Sequence, residues 1–148
     1  MNISRRQRII TKLISIFEKN TNLYGHKTNL GSNVFEWKLN DFQEADLPGM
    51  SLRDVSETIE VKGSSHYYTL TIEIEAKVQA STSTTEAREV IADIMTIIGQ
   101  NCSLGGLAVN VRPVENELLD FEQSNKKFGT ISMTFEIQYI TKAFQPYS

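Results

Sequence analysis

A lone cysteine, Cys102, excludes an internal disulfide and with it a stapled secreted scaffold. No apolar run reaches the roughly 18 residues that cross a bilayer. Ile9 to Phe17 comes nearest, but Lys12 breaks it, Glu18 ends it, and no small-residue cleavage site follows. A net charge of −3 and a pI near 5.4 give no general drive towards nucleic acid or an anionic membrane. Arg5, Arg6 and Arg8 form the one local basic cluster, read here as a solvated face. Internal repeats, low-complexity tracts and linkers are all missing. These absences read as a soluble protein of a reducing compartment with no membrane partner. What is present, 148 residues that are 40% hydrophobic and 22% charged, suits one domain, 1–148, with a real core.

Alternation dominates the rest. From His66 to Ala80, Tyr68, Leu70, Ile72, Ile74, Ala76, Val78 and Ala80 take one side, and Thr69, Thr71, Glu73, Glu75, Lys77 and Gln79 the other. That is a strand with one face on a core and the other facing water or a partner. At roughly 3.3 Å per residue it would span on the order of 50 Å, so part of it is expected to project and be covered by another subunit. The last strand follows the same rule through Ile131, Met133, Phe135, Ile137 and Tyr139.

Around these two, the pattern gives a helix over 4–19, with Ser4 and Gln7 as a capping box and Ile9, Ile10, Leu13, Ile14 and Phe17 as its stripe. A polar loop fills 20–33, a short strand runs 34–39, and Asp46-Leu47-Pro48-Gly49 forms a turn in which proline fixes φ and glycine frees it. A weaker strand over 50–61, with Val55, Ile59 and Val61 in one parity and Glu57 interrupting, pairs with the long one as a hairpin. After a polar break at 81–85, Ser83 and Glu86 open a second helix. Its stripe is Ala87, Val90, Ile91, Ile94, Met95 and Ile98, with Glu86, Arg88, Glu89 and Asp93 facing away and Gly99 and Asn101 stopping it. Leu107, Val109 and Val111 begin a strand that Pro113 marks as an edge or as bent there. Residues 115–127 read as a hairpin connection, with Leu119 and Phe121 touching the sheet. The expected fold is α+β: a largely antiparallel or mixed sheet, both helices on its apolar face, order α-β-β-β-α-β-β, with a long projecting hairpin.

Catalytic and metal-binding patterns are scarce. His26 and His66 have no ligand-spaced Cys, His or carboxylate beside them, so both read as surface residues. Cys102 follows a helix C-terminus, where the dipole disfavours a thiolate, and reads as a small semi-buried residue. Gly105-Gly106 lies after a helix, whereas phosphate cradles precede one. Glu73 and Glu75, about 7 Å apart along the strand, approach glycosidase spacing but lack an aromatic sugar platform. No catalytic, metal or cofactor residue is assigned, and the protein is not expected to be an enzyme.

The order of the pieces resembles the tail terminator (tail completion, minor tail) proteins of long-tailed bacteriophages. The likeness rests on RRQRIITKLISIF at 5–17, DLPGMSLRD at 46–54, TLTIEIEAKVQA leading into TTEAREVIADIMTII, LGGLAVNV at 104–111 and the closing ISMTFEIQYITKAFQPY. Gln145, where an acidic residue would precede Pro146, and the polar 20–33 loop depart from it. The resemblance implies a ring, six-membered in the family, that caps the tail tube and ends its polymerisation. It also implies a surface for the head–tail connector and a lumen through which DNA slides without specific binding. It places such a protein at the head-proximal end of the virion tail, assembled in the host cytoplasm. Candidate subunit or tail contacts are Asp46, Leu47, Pro48, Arg53, Asp54, Glu57, Glu73, Glu75 and Lys77. Two other readings stay open: a tube subunit or head–tail adaptor, and a small-ligand-binding α+β domain using the helix–sheet cleft with Glu73 or Glu75.

Overall fold

The computed structural model describes residues 2–79, 83–123 and 126–148, with the side chains at 83–84, 119–123 and 126–128 outside that description. Two α-helices, α1 (Arg5–Phe17) and α2 (Ser83–Gln100), pack on one face of a five-stranded mixed sheet. Its strands are β1 (Val34–Glu36), β2 (Gly49–Lys62), β3 (Ser65–Gln79), β4 (Asn110–Gln123) and β5 (Lys126–Lys142), in the order β1-β2-β3-β5-β4. Only the β1–β2 pair is parallel. The α+β fold and its element order are those the sequence pattern implies.

β3 has the length that its alternation announces, but it does not stand free. β5 accompanies it without a register break from Ser65↔Lys142 to Gln79↔Phe128. Its inner row, Tyr68, Leu70, Ile72, Ile74, Ala76 and Val78, is buried within one copy, against the matching row of β5 and the two helices. No neighbour is needed to cover that row, which corrects the expectation of a projecting hairpin sheltered by another subunit. The end of that expectation at Ala80, and the break at 81–82, lie outside the described residues.

Other departures have local causes. β1 stops at Glu36 because Trp37 turns left-handed (φ 51°), so its indole Nε1 can donate to Asp54 Oδ1 at 2.7 Å. In β2 the apparent interruption at Glu57 is a β-bulge at Val55, between the pairs Asp54↔Ile72 and Ser56↔Thr71. After the bulge Glu57, Ile59 and Val61 share the inner face, because they pair with Leu70, Tyr68 and His66. Residues 115–123 are strand rather than connection, paired with β5 down to Gln123↔Lys126, and a second bulge follows Pro113. β4 is an edge strand, as Pro113 signalled. The expected sheet contacts of Leu119 and Phe121 lie outside the described residues. Gly49 does not need a positive φ; a Cβ there would meet the Asp46 carbonyl oxygen at 2.2 Å, so close backbone approach selects glycine.

At the helix ends, Ser4 Oγ accepts from Gln7 N at 3.1 Å, but the Gln7 side chain reaches Thr11, so only half a capping box forms. In α2, Ser83 is already helical and its side chain lies outside the described residues. The helix passes through Gly99 to Gln100, and Asn101 Nδ2 then caps the Ile97 carbonyl at 2.8 Å. Cys102 is exposed rather than semi-buried.

Asp93 faces inward, against the expectation. It is buried and accepts from Thr28 N (2.8 Å), Thr28 Oγ1 (2.7 Å) and Lys27 N (3.2 Å), tying the 20–33 loop to α2. A carboxylate that satisfies loop amides does what an apolar contact cannot in a polar segment. The three arginines are not a solvated face either. Arg5 donates to the carbonyls of Ser148 (3.0 Å) and Leu107 (2.9 Å), Arg8 to that of Tyr147 (3.0 Å), and Arg6 to Asp54 (2.7 Å). They fasten the C-terminal residues and β2 to α1. His66 is buried too, edge-on to Phe144 with ring centroids 4.8 Å apart.

Two substitutions test this packing. Ile74→Asp puts an unpaired charge where exposure is nil and is expected to abolish cooperative unfolding in urea. Asp93→Ala strands three donors and is expected to cost about 2–4 kcal/mol in the same measurement, with fold retained by circular dichroism.

Candidate functional site

With helices on one side, the sheet leaves its other face bare except at the start of β2, where residues 38–42 lie over Ser51 and beside Glu75. Alternation puts Arg53, Thr58 and Glu60 of β2 on that face, with Tyr67, Thr69, Thr71, Glu73, Glu75 and Lys77 of β3. β5 adds Thr130, Ser132, Thr134, Glu136, Gln138 and Ile140, and β4 adds Arg112. Most of these side chains are half-buried by their neighbours along the pleat. Arg53 bonds Glu73 at 2.9 Å and Arg112 bonds Glu136, each across one strand pair. Near the hairpin end a shallow hollow of about 500 Å³ lies over Tyr67, Thr69, Gln138 and Ile140, between Thr58 on one side and Val109 on the other.

The sheet also has two open edges. β1 pairs only with Met50–Leu52, so from Val55 to Lys62 the outer edge of β2 has no strand beside it among the described residues. On the opposite side the outer edge of β4 has no strand beside it among the described residues. Both edges carry exposed apolar side chains: Val55, Ile59 (55% exposed) and Val61 (63%) on β2, and Val109, Val114 and Leu118 at or within β4. Open strands with apolar side chains are where another chain pairs most readily.

The predicted contact residues divide. Glu73, Glu75, Lys77 and Arg53 stand together on the bare face. Glu75 lines a small hollow of about 100 Å³ with Lys38, Asp41, Phe42 and Arg53. Asp46, Leu47 and Pro48 lie just before β2. The Asp46 carboxylate accepts from Gln43 N at 2.8 Å and lies 3.4 Å from Lys38 Nζ, and the backbone hydrogen bond, ahead of Lys38, holds its pKa below the usual range. Asn33 Nδ2 bonds the Pro48 carbonyl at 3.2 Å, so this turn is fixed from behind.

Asp54 and Glu57 turn inward, to α1. Asp54 accepts from Arg6 Nε and Trp37 Nε1, both at 2.7 Å. Glu57 Oε2 accepts from the Tyr139 hydroxyl at 2.6 Å and lies 3.8 Å from Arg6 Nη1. Burial and then the Glu57 contact push the Tyr139 hydroxyl far up, so it stays a donor. Burial acts to raise Asp54, but the hydrogen bonds from Trp37 and Arg6 outweigh it and leave its pKa lowered. This cluster borders a hollow of about 270 Å³ with Ser4, Tyr68, Thr141 and Pro146. Its acids are already paired, so it works as a clamp between α1, β2 and β5. Among the described residues no group of three His, Cys, Asp or Glu is placed to hold a metal.

Sequence reasoning missed the open edge of β2 and the Arg6–Asp54–Glu57–Tyr139 clamp, though it placed β4 at an edge. Pro113 and the acidic 115–122 stretch were the available sign of the β4 edge; nothing local marked the clamp, whose members are brought together by the fold.

Asp54→Asn tests the clamp. A carboxylate with a lowered folded pKa contributes its full stabilisation above the unfolded value near 3.8 and loses it as pH falls through the folded value. The substitution is expected to cost about 1–2 kcal/mol at pH 7 in urea unfolding. As pH falls through the folded value, which lies below 3.8, the gap to the unsubstituted protein is expected to close.

No family model matches the chain, and no characterised protein matches it in sequence.

Proposed function

We propose that the chain is a structural subunit that closes into a ring, and that the ring caps the tail tube of a long-tailed bacteriophage. In that role it ends tube polymerisation and offers its other side to the head–tail connector, with DNA passing through the lumen. The observation that carries the reading is the pair of open sheet edges on opposite sides of one subunit. Edges of different sequence make a heterologous contact, and repeated heterologous contacts that close make a ring. Strand directions support it: β2 and β5 run one way, β3 and β4 the other. Copies related by rotation about an axis near the strand direction therefore set β4 of one antiparallel to β2 of the next, continuing the sheet. The phage assignment rests on the sequence resemblance alone, and the ring on geometry.

The bare face suits a lumen wall. It is polar, its acidic residues include Glu73, Glu75 and Glu136, and its two arginines are paired across strands. Such a wall gives DNA phosphates few free cations to grip. Glu73 and Glu75 lie on this face and not in the helix–sheet cleft, which removes the basis for a ligand site built on them there.

Glu73→Lys is expected to leave folding intact, since an exposed cross-strand pair contributes no more than about 1 kcal/mol, while disturbing assembly on tail tubes. Light scattering after size exclusion, with and without tube subunits, reads it out, and unchanged assembly would mean that the face is merely solvated. Electron microscopy of particles made without the protein separates the roles: tails of uncontrolled length, or tails without heads, fit a terminator. Absence of any tail would instead identify a tube subunit.

A further inference from the structure

We infer that the ring contact is a specific strand pairing between two copies, with β2 residues 55–62 of one copy antiparallel to the start of β4 of the next, and Glu60 facing Arg112. This rests on the ring reading and names the surface that makes it. The occupant of each open edge is thus a second copy of this chain.

Three constraints converge on that register. The first is the faces. A continued sheet keeps helices on one side, so Ser56, Thr58, Glu60 and Lys62 must meet residues on the Arg112 side of β4, and Glu57, Ile59 and Val61 must meet the Val111 and Pro113 side. Only every second register satisfies this.

The second is charge and apolar match. With Glu60 opposite Arg112, Ile59 falls opposite Pro113, Val61 opposite Val111 and Lys62 opposite Asn110. The exposed Ile59 and Val61 are covered, and Arg112, whose side chain is 63% exposed, gains a second carboxylate beside its own Glu136. Moving the register one allowed step sets Arg112 opposite either Lys62, a like charge, or Thr58, which is neutral.

The third is closure. Within one copy Arg112 stands level with Ser56, through Glu136 and Thr71. Facing Glu60 of the next copy therefore staggers neighbours by four residues, about 13 Å at roughly 3.3 Å per residue. The width of the four long strands is about 19 Å at roughly 4.8 Å per strand. A rise of about 13 Å over about 19 Å tilts the strands about 35° from the ring axis, inside the roughly 35–45° that closed sheets adopt. Unstaggered pairing, with Arg112 opposite Ser56, would give no tilt and would set Glu60 opposite Ala108, which offers it no charge partner. β1, beside Met50–Leu52, blocks the lower part of the same edge and fixes where the pairing ends.

The experiment uses the full chain with Cys102→Ser as background. Glu60→Cys and Arg112→Cys are combined in one chain and oxidised at high protein concentration. The expected result is a ladder of covalent oligomers, weaker by at least about fivefold when Thr58→Cys or Lys62→Cys replaces Glu60→Cys. Independently, Glu60→Arg or Arg112→Glu is expected to raise the concentration for assembly severalfold, and the double reversal to restore most of it. Assembly by light scattering without crosslinking at 60 and 112 would overturn this contact and leave the ring reading standing. A strictly monomeric protein that also fails to crosslink, with or without tube subunits, would overturn both.

Discussion

The β3–β5 pair is the constraint on which the rest of the fold depends. Fifteen residues of β3 face β5 in unbroken antiparallel register, and every second side chain is apolar from Tyr68 to Val78 in β3 and from Ile131 to Tyr139 in β5. Because strand side chains alternate with a period of two, a slip of one residue would carry Leu70, Ile72, Ile74, Phe135 and Ile137 to the bare face together. That cost fixes the register, and the register fixes the level of everything attached to it. The inner row makes the bed for α1 and α2, and the outer row makes the polar wall. β2 and β4 are then placed on either side, with their open edges facing away from each other.

How much could be read beforehand follows from where the determining contacts lie. β3, β5 and both helices were legible because their stabilisation comes from periodic burial, which is written along the chain. β4 was legible only at its start. Its later residues include Glu115, Glu117 and Glu122, and an edge strand can be acidic because it buries little, so hydrophobic pattern had nothing to report. β2 was read weakly because the bulge at Val55 changes its parity midway, turning Glu57 from an interruption into an inward residue with a partner, Tyr139. Asp93 and the three arginines were misread for one reason. Their partners are distant in the chain: loop amides for Asp93, backbone carbonyls for Arg5 and Arg8 and the Asp54 carboxylate for Arg6, so along the sequence each looks like a charge destined for water. The projecting ribbon differs in kind: strand length alone implies a lack of cover, whereas β5 supplies that cover over the same span.

That correction changes the argument for assembly. Once the inner face is covered within one copy, association cannot be driven by a large apolar surface awaiting burial. It has to come from edges, where main-chain groups supply the directional part and a few side chains supply selectivity. Open edges are also an aggregation hazard, and both here carry the usual guards. β4 has Pro113, a bulge after it, and Glu115 and Glu117; β2 has a bulge at Val55 and the charges Glu57, Glu60 and Lys62. Like edges meeting each other, β4 on β4, would bring glutamates together. The unlike pair brings an arginine to a glutamate.

Guarded edges distinguish a subunit that joins itself in one order from one that pairs indiscriminately. Bulges and charges raise the cost of every wrong register, while Ile59 and Val61 keep a reason to associate at one end of one edge. β1 sharpens this by occupying the other end, so that only about half of β2 can accept a strand. The contact is thereby short, and a short contact is weak between two isolated copies. A closed ring multiplies it and leaves no edge unpaired at the seam, which favours the complete ring over partial arcs. Under the proposed function, a protein that acts only at the finished end of a tube benefits from that arrangement. Its copies can stay separate until a template gathers enough of them to close.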